Sequence, residues 1–397
     1  MAKVIIIGGG ASGLVAAIYA SKNNDVTILE KNSKCGKKIL VTGNGKCNYW
    51  NENFDTTYFN SSNKELIKEI VNNENKKEIM NFFDSIGIIP NIVDGYYYPL
   101  SNQAVTIQTS LIKEAKVHGV NIKCDTEVLD IKYDGKYKII TNNGNYVCDK
   151  VILSTGSFSW VKENNGYELL KKYDKNIIKP LPALVQLTTN DKRLKDSNGV
   201  RCNVEITLTE NEKPIKKESG QLQITDYGIS GICVFQLSSL VSRGLDNGKC
   251  EKLIINFMPW LNCDFINFMD NRNNKMKNRT ISELLDGMFN YKLVNNILKI
   301  CKIKENEKWD NIDNNKKKLL KTCFTEFTVE IDGTKGFINS QTCTGGLSLK
   351  EINLKTMELL NQKGMYVTGE IIDIDGMCGG YNLGIAWITG MIAGSNI

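Results

Sequence analysis

Residues 3–32 read KVIIIGGGASGLVAAIYASKNNDVTILEKN, and this stretch decides the fold class. Lys3 to Ile7 is an apolar run of the kind that forms a buried parallel strand. Ala11 to Ala20, rich in small and apolar residues, predicts a helix, and Val26 to Leu29 predicts a second strand. A strand, a glycine-rich turn, a helix and a second strand begin a βαβ unit, so we expect an α/β fold with a parallel sheet.

The turn between the first strand and the helix carries the glycine pattern of a dinucleotide-binding site. Its glycines follow the GxGxxG spacing: the first makes the turn, the second lets a pyrophosphate approach the backbone, and the third lets helix and strand pack closely. The N–H groups and the positive dipole end of the helix would face the pyrophosphate. The predicted contacts in this turn are Gly8, Gly10, Ala11, Ser12 and Gly13.

An acidic residue at the end of the second strand narrows the choice of dinucleotide. Glu30 lies about 20 residues after the glycines, the spacing that ribose recognition requires. Because its carboxylate would repel a 2′-phosphate, the pattern predicts FAD or NAD and not NADP. The basic, glycine-rich loop KKILVTGNGKCN (Lys37 to Asn48) follows where an NAD dehydrogenase would continue with helix and strand. A loop of this kind favours the longer cofactor, FAD.

Composition limits the remaining classes. The 397 residues predict two domains, or one domain with an insertion, and the net charge of +6 indicates a solvated basic surface more than a nucleic-acid groove. The 12 cysteines include no CxxC pair, and neither a secretory signal nor a membrane-spanning run is present, so we expect free thiols in the cytoplasm. The single histidine, His118, disfavours metal sites and Ser-His catalysis.

Longer motifs carry a resemblance that covers nearly the whole chain. They are GGGASG, ILVTGNGKCN, DGYYYPLSNQA (Asp94 to Ala104), PLPALVQL, TDYGISG, TGGLSLKEIN and TGEIIDIDGMCGGYNLGIAW. Together they resemble the bacterial NAD(P)/FAD-dependent oxidoreductase family that includes aminoacetone-oxidase-type and bile-acid enone reductase flavoproteins. The resemblance implies tight, non-covalent FAD and places the glycines near residue 380 along the flavin ring, because side chains there would meet the flat ring. It places Glu370 near the ribityl-pyrophosphate. The further cofactor-binding residues implied are Lys31, Lys38, Gly45, Lys46, Cys47, Asn48, Val128, Thr155, Gly156, Gly369, Gly380, Tyr381, Asn382 and Leu383.

The resemblance also implies a discontinuous Rossmann-like FAD-binding domain, residues 1–185 and 337–397. A substrate or lid domain, residues 186–336, would be inserted in it, with a β-barrel-like unit at about 186–262 and a helical unit at about 263–322. Within the insert, Lys213 to Ile224 predicts a hairpin that turns at ESG. Apolar residues at helical spacing between Ile281 and Leu293 predict a core stripe.

Several positions depart from the family pattern, on what would be the substrate side. Lys46 stands where the family has Arg, Asp226 replaces a His, and Ile232 replaces a Pro. A lysine cannot make the bidentate contact of an arginine. The resemblance therefore implies the fold but does not identify the substrate. Tyr97, Tyr98, Asp226 and Tyr227 are candidates to line the pocket or donate a proton, and no catalytic residue is assigned.

The leading interpretation is an FAD-dependent oxidoreductase. It would transfer hydride from NADH through flavin N5 to an electron-poor C=C of an enone-type, steroid- or bile-acid-like small molecule. Because the sequence has one dinucleotide fingerprint, NADH or NADPH would dock only transiently. The alternatives left open are an oxygen-using amine or aminoacetone oxidase, a flavin-bearing redox sensor or binding protein, and a flavin-dependent RNA-modifying enzyme.

Overall fold

The computed structural model describes residues 1–161, 165–249 and 251–397, which form two units. The first combines Met1–Leu181 with Thr342–Ile397, and the second is Pro182–Gln341. Because the first unit is built from both ends of the sequence, every residue predicted to bind the cofactor belongs to it. The boundaries predicted from the sequence lie near residues 186 and 336.

The elements before the second unit are as follows. The strands are β1 (Lys3–Ile7), β2 (Asp25–Leu29), β3 (Trp50–Asn51), β4 (Phe59–Asn60), β5 (Pro90–Val93), β6 (Tyr96–Pro99), β7 (Asn121–Lys123), β8 (Val128–Asp134), β9 (Lys136–Thr141), β10 (Gly144–Cys148), β11 (Lys150–Leu153) and β12 (Ile177–Ala183). The helices are α1 (Ala11–Ala20), α2 (Asn73–Ser85), α3 (Ala104–Val117) and α4 (Gly166–Lys171).

The second unit and the returning segment follow. The strands of the second unit are β13 (Leu187–Thr188), β14 (Arg201–Glu210), β15 (Lys213–Ile224), β16 (Gly228–Ser230), β17 (Glu251–Asn256), β18 (Phe327–Ile331) and β19 (Gly333–Thr334). Its helices are α5 (Ile232–Asp246), α6 (Phe265–Lys275), α7 (Ile281–Leu285), α8 (Tyr291–Ile300) and α9 (Asn314–Thr325). The returning segment contains β20 (Thr342–Leu347), β21 (Ile352–Asn353), β22 (Glu358–Leu359), β23 (Met365–Val367), β24 (Asp375–Gly376) and α10 (Tyr381–Asn396).

A seven-stranded sheet in the order β21-β22-β23-β11-β1-β2-β7 organises the first unit. The five strands from β23 to β7 are parallel, and β1 pairs with β2 on one side and β11 on the other. The apolar run of β1 is buried from Val4 to Ile7, as a parallel strand covered on both faces should be. The predicted α/β fold class with a Rossmann-type unit is confirmed.

Two helices from opposite ends of the sequence pack closely in this unit. A Cβ atom on Gly390 of α10 would lie 2.3 Å from the Ser12 carbonyl oxygen, and one on Gly394 would lie 2.4 Å from the Ala16 carbonyl oxygen. Glycine at these positions lets the backbones of α10 and α1 approach. The contact fixes the C-terminal helix against the helix of the first βαβ unit.

The second unit has its own seven-stranded sheet and its own core. The strand order is β18-β17-β14-β15-β16-β13-β19. Leu208 and Ile255 of the sheet, together with Trp309, are fully buried. The predicted helical stripe is confirmed as core, because Ile281 and Leu293 are at most 1% exposed. It spans two helices instead of one, since Asn290 caps α8.

One sequence-based prediction in this unit is wrong. Lys213–Ile224 is a single strand without a turn at ESG, and the hairpin turn lies at Asn211 and Glu212, which have φ of 48° and 67°. Gly220, in the predicted turn, pairs with Val204 in the ladder between β15 and β14. The ESG tripeptide therefore lies within a strand and not in a loop.

Candidate cofactor site

The carboxyl ends of three parallel strands, β1, β11 and β23, meet at the predicted site. The Ser154 N–H donates to the Ile7 carbonyl at 2.8 Å, and the Thr368 N–H donates to the Leu153 carbonyl at 3.0 Å. The hydroxyls of Ser154 and Thr368 share a hydrogen bond of 2.7 Å. Strand β2, on one side of β1, follows β1 directly along the chain, whereas β11, on the other side, follows only after β10. This edge of the sheet is therefore a topological switch point, where open α/β sheets bind ligands.

The glycines of the first turn meet different constraints. A Cβ atom on Gly8, whose φ is +102°, would lie 2.4 Å from the Ser154 carbonyl oxygen, and one on Gly13 would lie 2.0 Å from the Gly8 carbonyl oxygen. Gly10 differs: no atom of the described residues lies within 4 Å of its Cβ position. The fold itself requires Gly8 and Gly13, whereas the space beside Gly10 is open, as a bound pyrophosphate would need.

Gly9, between the fingerprint glycines, has a role that the sequence pattern did not reveal. Its Cβ position lies 2.3 Å from Sγ of Cys35, and its carbonyl accepts a hydrogen bond from the Gly36 N–H at 2.8 Å. Burial raises the pKa of the Cys35 thiol, and the nearby Glu30 carboxylate raises it further. Cys35 is thus a neutral packing residue that holds the segment after β2 against the turn.

Glu30 orients the same turn through its carboxylate. The side chain is 6% exposed, and Oε2 accepts a hydrogen bond from the Gly9 N–H at 2.8 Å. Oε1 accepts from the N–H and Nδ2 of Asn32, at 2.8 and 2.6 Å. Three donors fix the carboxylate at the end of β2, the position from which it would accept hydrogen bonds from a ribose.

Lys38 and Glu370 form an ion pair between two predicted cofactor-binding segments. Nζ of Lys38 lies 2.6 Å from Oε2 of Glu370, and the two side chains are 37% and 17% exposed. Glu370 also accepts hydrogen bonds from the hydroxyls of Thr342 at 3.0 Å and Ser157 at 3.2 Å. The carboxylate is satisfied by its own unit and holds the lysine cation at the edge of the site.

The loop that follows β2 folds as a kinked 3-10 helix, Ile39–Gly45. Gly43, Asn44 and Gly45 all have positive φ, and so does Cys47. Lys46, the replacement for the family arginine, is exposed. Burial raises the pKa of Cys47 to about 12, so this thiol is neutral at physiological pH. The loop therefore presents backbone and a lysine cation, but not a reactive thiolate.

The C-terminal glycine loop is shaped by close contacts with the protein itself. A Cβ atom on Gly379 would lie 2.5 Å from Cε1 of Tyr96, and one on Gly380 would lie 2.6 Å from the backbone of Trp50. Nδ2 of Asn51 donates to the Gly379 carbonyl at 2.9 Å. From the sequence, we expected that glycine is needed here because a side chain would meet the flat ring of a flavin. Neighbouring aromatic and backbone atoms of the protein already require glycine at these positions.

Helix α10 begins at Tyr381, two residues earlier than expected, and its first turn is fixed by side chains. Tyr381 is buried and stacks on Tyr58 with ring centroids 4.8 Å apart. Asn382 holds the loop closed, because its Oδ1 accepts from the Gly376 N–H and its Nδ2 donates to the Gly376 carbonyl, both at 2.8 Å. Both ends of the Asn382 amide therefore bind the loop, a role that the sequence did not indicate.

Partly exposed residues mark the open side of the site. Residues 364–394 are buried except at Glu370, 377–380, Asn382 and Leu383. Gly8, Gly10, Ala11, Thr155 and Gly156 are likewise half-exposed. The structure thus brings the ends of β1, β11 and β23 and the two glycine loops to one region. Elsewhere, Lys31 is exposed, and Val128 is buried with its carbonyl bound by Asn165 at 2.7 Å.

The remaining sequence candidates belong to several other elements. His118 caps the C-terminal end of α3, and its Nε2 lies 3.2 Å from Oε1 of Glu114. Asp226 and Tyr227 belong to the second unit, where Nζ of Lys335 lies 4.4 Å from the centroid of the Tyr227 ring. Tyr97 and Tyr98 belong to β6 in the first unit.

The residues at the strand ends fit FAD. The open space at Gly10 borders the start of α1, where no side chain of the described residues caps the helix. Backbone N–H groups and the helix dipole are therefore available to a pyrophosphate. Glu30 would hold the adenosine ribose, while Lys38 and Glu370 would hold the polar part of the cofactor. In the described part of the chain, no helix combines the length and apolar character that a membrane crossing requires.

Comparisons with known proteins find relatives over nearly the whole chain. The family described as "HI0933-like protein Rossmann domain" matches residues 2–396. A 3-dehydro-bile acid delta(4,6)-reductase from Clostridium scindens is 34% identical over 410 residues, covering 99% of this chain and 98% of the relative. A ribosomal RNA dihydrouridine synthase from Escherichia coli is 26% identical over 390 residues, covering 96% of this chain and 94% of the relative.

Among solved structures, the 3-ketosteroid-delta4-(5alpha)-dehydrogenase of Rhodococcus jostii RHA1 aligns with a TM-score of 0.46. It is 13% identical, and the alignment covers 100% of this chain and 96% of that one. A flavocytochrome c3 fumarate reductase aligns with a TM-score of 0.47 and 14% identity, covering 100% and 78%.

Proposed function

The chain belongs to the HI0933-like Rossmann family and is a flavin-dependent oxidoreductase, and we propose that it reduces a carbon–carbon double bond conjugated to a carbonyl group. The proposed substrate is a steroid- or bile-acid-like enone, and the proposed reductant is NADH, which docks transiently. The observation that carries this proposal is the near full-length similarity to a bile-acid enone reductase. The strand-end site supports it, because it offers the shape and donors that FAD needs.

When bound, FAD supplies the redox chemistry, taking hydride from a reduced nicotinamide and delivering hydride to an acceptor. The chain's contribution is binding and orientation. The start of α1 binds the pyrophosphate, and Glu30, fixed by Gly9 and Asn32, orients the ribose. The loop closed by Asn382 keeps the backbone of Gly379 and Gly380 at the edge of the site.

The helix ends at the site would favour negative charge on a bound cofactor. The N-termini of α1 and α10 both lie at this edge, and each carries about half a positive charge. The cation of Lys38 lies there as well, although Glu370 balances part of its charge. Two helix N-termini at this edge would stabilise the added negative charge of a reduced cofactor.

A second candidate is the reduction of uridine in RNA, favoured by the similarity to a ribosomal RNA dihydrouridine synthase over 96% of this chain. A dihydrouridine is a uridine whose ring double bond, conjugated to a carbonyl, has been saturated. The two relatives' names therefore describe the same type of bond reduction on different molecules. For this chain we favour the small-molecule substrate, because the reductase is the more similar of these two relatives.

An anaerobic half-reaction experiment tests the proposal. The holoenzyme is reduced with NADH or NADPH and then mixed with a 3-keto-4-ene steroid, a 3-keto-4-ene bile acid, or a uridine-containing ribosomal RNA fragment. We expect the flavin absorbance near 450 nm to return rapidly with the enones only, with the saturated ketone as product. Return with RNA only, lost at high salt, would support the second candidate.

Controls separate the remaining alternatives. An amine oxidase would be reduced by an amine without NADH and would form peroxide in air. A redox sensor would show no steady turnover with any acceptor. Failure of every enone to reoxidise the reduced enzyme would overturn the proposed function.

A further inference from the structure

A three-stranded sheet, β3-β6-β5, supports the C-terminal glycine loop. Strand β6 contains the consecutive residues Tyr96, Tyr97 and Tyr98. Asn51 of β3 pairs with Tyr96, and its Nδ2 donates to the Gly379 carbonyl at 2.9 Å. The tyrosine strand is thus held next to the loop by a direct hydrogen bond from its neighbouring strand.

Alternation along β6 divides the three tyrosines between two faces. Tyr97 faces the interior, with its ring edge-on to the buried Tyr49 at a centroid distance of 6.2 Å. Tyr96 faces Gly379, since its Cε1 lies 2.5 Å from the Cβ position of that glycine. Tyr98 shares the face of Tyr96, and its Cε1 lies 3.5 Å from the Cβ position of Gly43. Tyr96 and Tyr98 therefore contact the two glycine loops that are expected to border the cofactor.

The hydroxyls on this face are available to a substrate. Both side chains are half-exposed, and no hydrogen bond joins either hydroxyl to another atom of the described residues. Burial raises the pKa of Tyr98, and the neighbouring Tyr96 hydroxyl raises it further. A phenolic O–H group is a hydrogen-bond donor, so either hydroxyl can offer a proton to a bound molecule.

We propose that the Tyr96 hydroxyl donates the proton that completes reduction of the double bond, an inference that rests on the proposed function. Hydride forms a C–H bond at the carbon far from the carbonyl, and the π electrons of the double bond move toward the carbonyl as an enolate. The O–H bond of Tyr96 then breaks, and its proton forms the second C–H bond at the carbon next to the carbonyl. The tyrosinate regains a proton from water. The two electrons come from the reduced nicotinamide nucleotide, which is oxidised.

Tyr96 is chosen over Tyr98 by its position. Tyr96 contacts the loop at the start of α10, which joins the strand-end site, while Tyr98 contacts the loop after β2. Burial raises the pKa of Tyr381, the first residue of α10, and the hydroxyls of Tyr58 and Tyr96 raise it further.

The test compares three Tyr→Phe variants that differ only in which hydroxyl is removed. Tyr96→Phe removes the proposed donor, Tyr98→Phe removes its neighbour, and Tyr97→Phe is the matched control on the opposite face. FAD affinity of the apoprotein, binding of the saturated ketone to oxidised holoenzyme, and flavin reduction by NADH are measured for each. We expect all three quantities to stay within about threefold of the wild type.

Reoxidation by the enone should then separate the variants. In Tyr96→Phe it should slow about 100-fold or more, the usual contribution of a general acid. Reoxidation by ferricyanide, which needs no proton at carbon, should be unchanged. In D2O the wild type should place deuterium on one face of the carbon next to the carbonyl, whereas Tyr96→Phe should give a mixture of faces.

The outcomes distinguish this inference from the proposed function. If the wild type is not reoxidised by any enone, the proposed function fails, and the role of Tyr96 in that reaction fails with it. If the wild type is reoxidised and Tyr96→Phe matches it in rate and deuterium placement, only the assignment of Tyr96 is overturned. The assignment would also be overturned if the reoxidation rate fell in Tyr98→Phe alone, or if it fell as much in Tyr97→Phe as in Tyr96→Phe.

Discussion

Nζ of Lys38 lies 2.6 Å from Oε2 of Glu370 and joins the loop after β2 to the segment after β23. A double-mutant cycle with Lys38→Met and Glu370→Gln should give a coupling energy of about 0.5–1 kcal/mol in urea unfolding of the apoprotein, since the pair is only partly buried. Each single variant should also weaken FAD binding, measured by quenching of flavin fluorescence. Additive unfolding energies would show that the pair does not stabilise the fold.

Gly10→Val should separate cofactor binding from folding. Because the space beside Gly10 is open and its φ of −80° suits any residue, the apoprotein should keep its unfolding free energy within about 0.5 kcal/mol. FAD binding should fall more than about 100-fold, because the valine fills the space of the pyrophosphate. Gly13→Ala is the contrasting control and should destabilise the apoprotein by about 1–3 kcal/mol, since its Cβ would meet the Gly8 carbonyl. Wild-type FAD affinity in Gly10→Val would place the pyrophosphate elsewhere.

Glu30→Gln should affect both the fold and the ligand. The carboxylate accepts hydrogen bonds from Gly9 and Asn32, whereas the amide nitrogen of glutamine would face one of these donors. We expect a loss of about 1–3 kcal/mol in apoprotein stability and weaker FAD binding in a titration of the refolded variant. Glu69→Gln, at an exposed carboxylate, is the control and should change neither quantity. Unchanged apoprotein stability would mean that these hydrogen bonds do not hold the turn.

Asn382→Leu should loosen the C-terminal loop. It removes both 2.8 Å hydrogen bonds to Gly376. The melting temperature should fall, and stopped-flow traces should show at least one half-reaction slowed, because the loop no longer holds its backbone in place. Asn382→Asp keeps the acceptor for the Gly376 N–H and should give an intermediate effect. A variant that melts and reacts like the wild type would show that the clamp is dispensable.

Alkaline pH should destabilise the fold through its buried thiols. Burial raises the pKa of Cys47 and Cys148 to about 12 and that of Cys343 to about 11. Their contribution to stability is fully present below the unfolded thiol pKa near 9 and is lost as pH rises toward the folded values. The free energy of unfolding, measured by urea titration at each pH, should be constant to about pH 9 and then fall by about 1.4 kcal/mol per pH unit for each thiol. Cys47→Ala should remove one such increment, and a steep fall below pH 8.5 would contradict the assignment.

The first βαβ unit could be predicted from sequence because its signals are local. The apolar strand, the glycine spacing and Glu30 all fall within residues 3–32, and each reports on its own backbone. Contacts between distant segments left no such signal. The approach of Cys35 to Gly9 and the hydrogen bond from Asn51 to Gly379 depend on tertiary packing. A cysteine or an asparagine in the sequence does not predict such a contact.

Side-chain direction was the other limit. Three consecutive tyrosines in YYYP give no indication of which ring faces the interior, since strand alternation fixes only that neighbours differ. The sequence therefore named Tyr97 and Tyr98 and passed over Tyr96, which the register of β6 with β3 turns toward Gly379. The misplaced hairpin at Gly220 has a similar cause, because a glycine in a long solvated strand resembles a turn.

The close contact of α10 with α1 has a consequence for the order of folding during synthesis. The ribosome makes the fingerprint turn before the helix carrying Gly390 and Gly394, which lies more than three hundred residues later in the sequence. Until then, the nascent first segment exposes the apolar side of α1 and lacks β23 beside β11. The inserted segment is made before this closure, so the packing of α10 against α1 must span the whole insert.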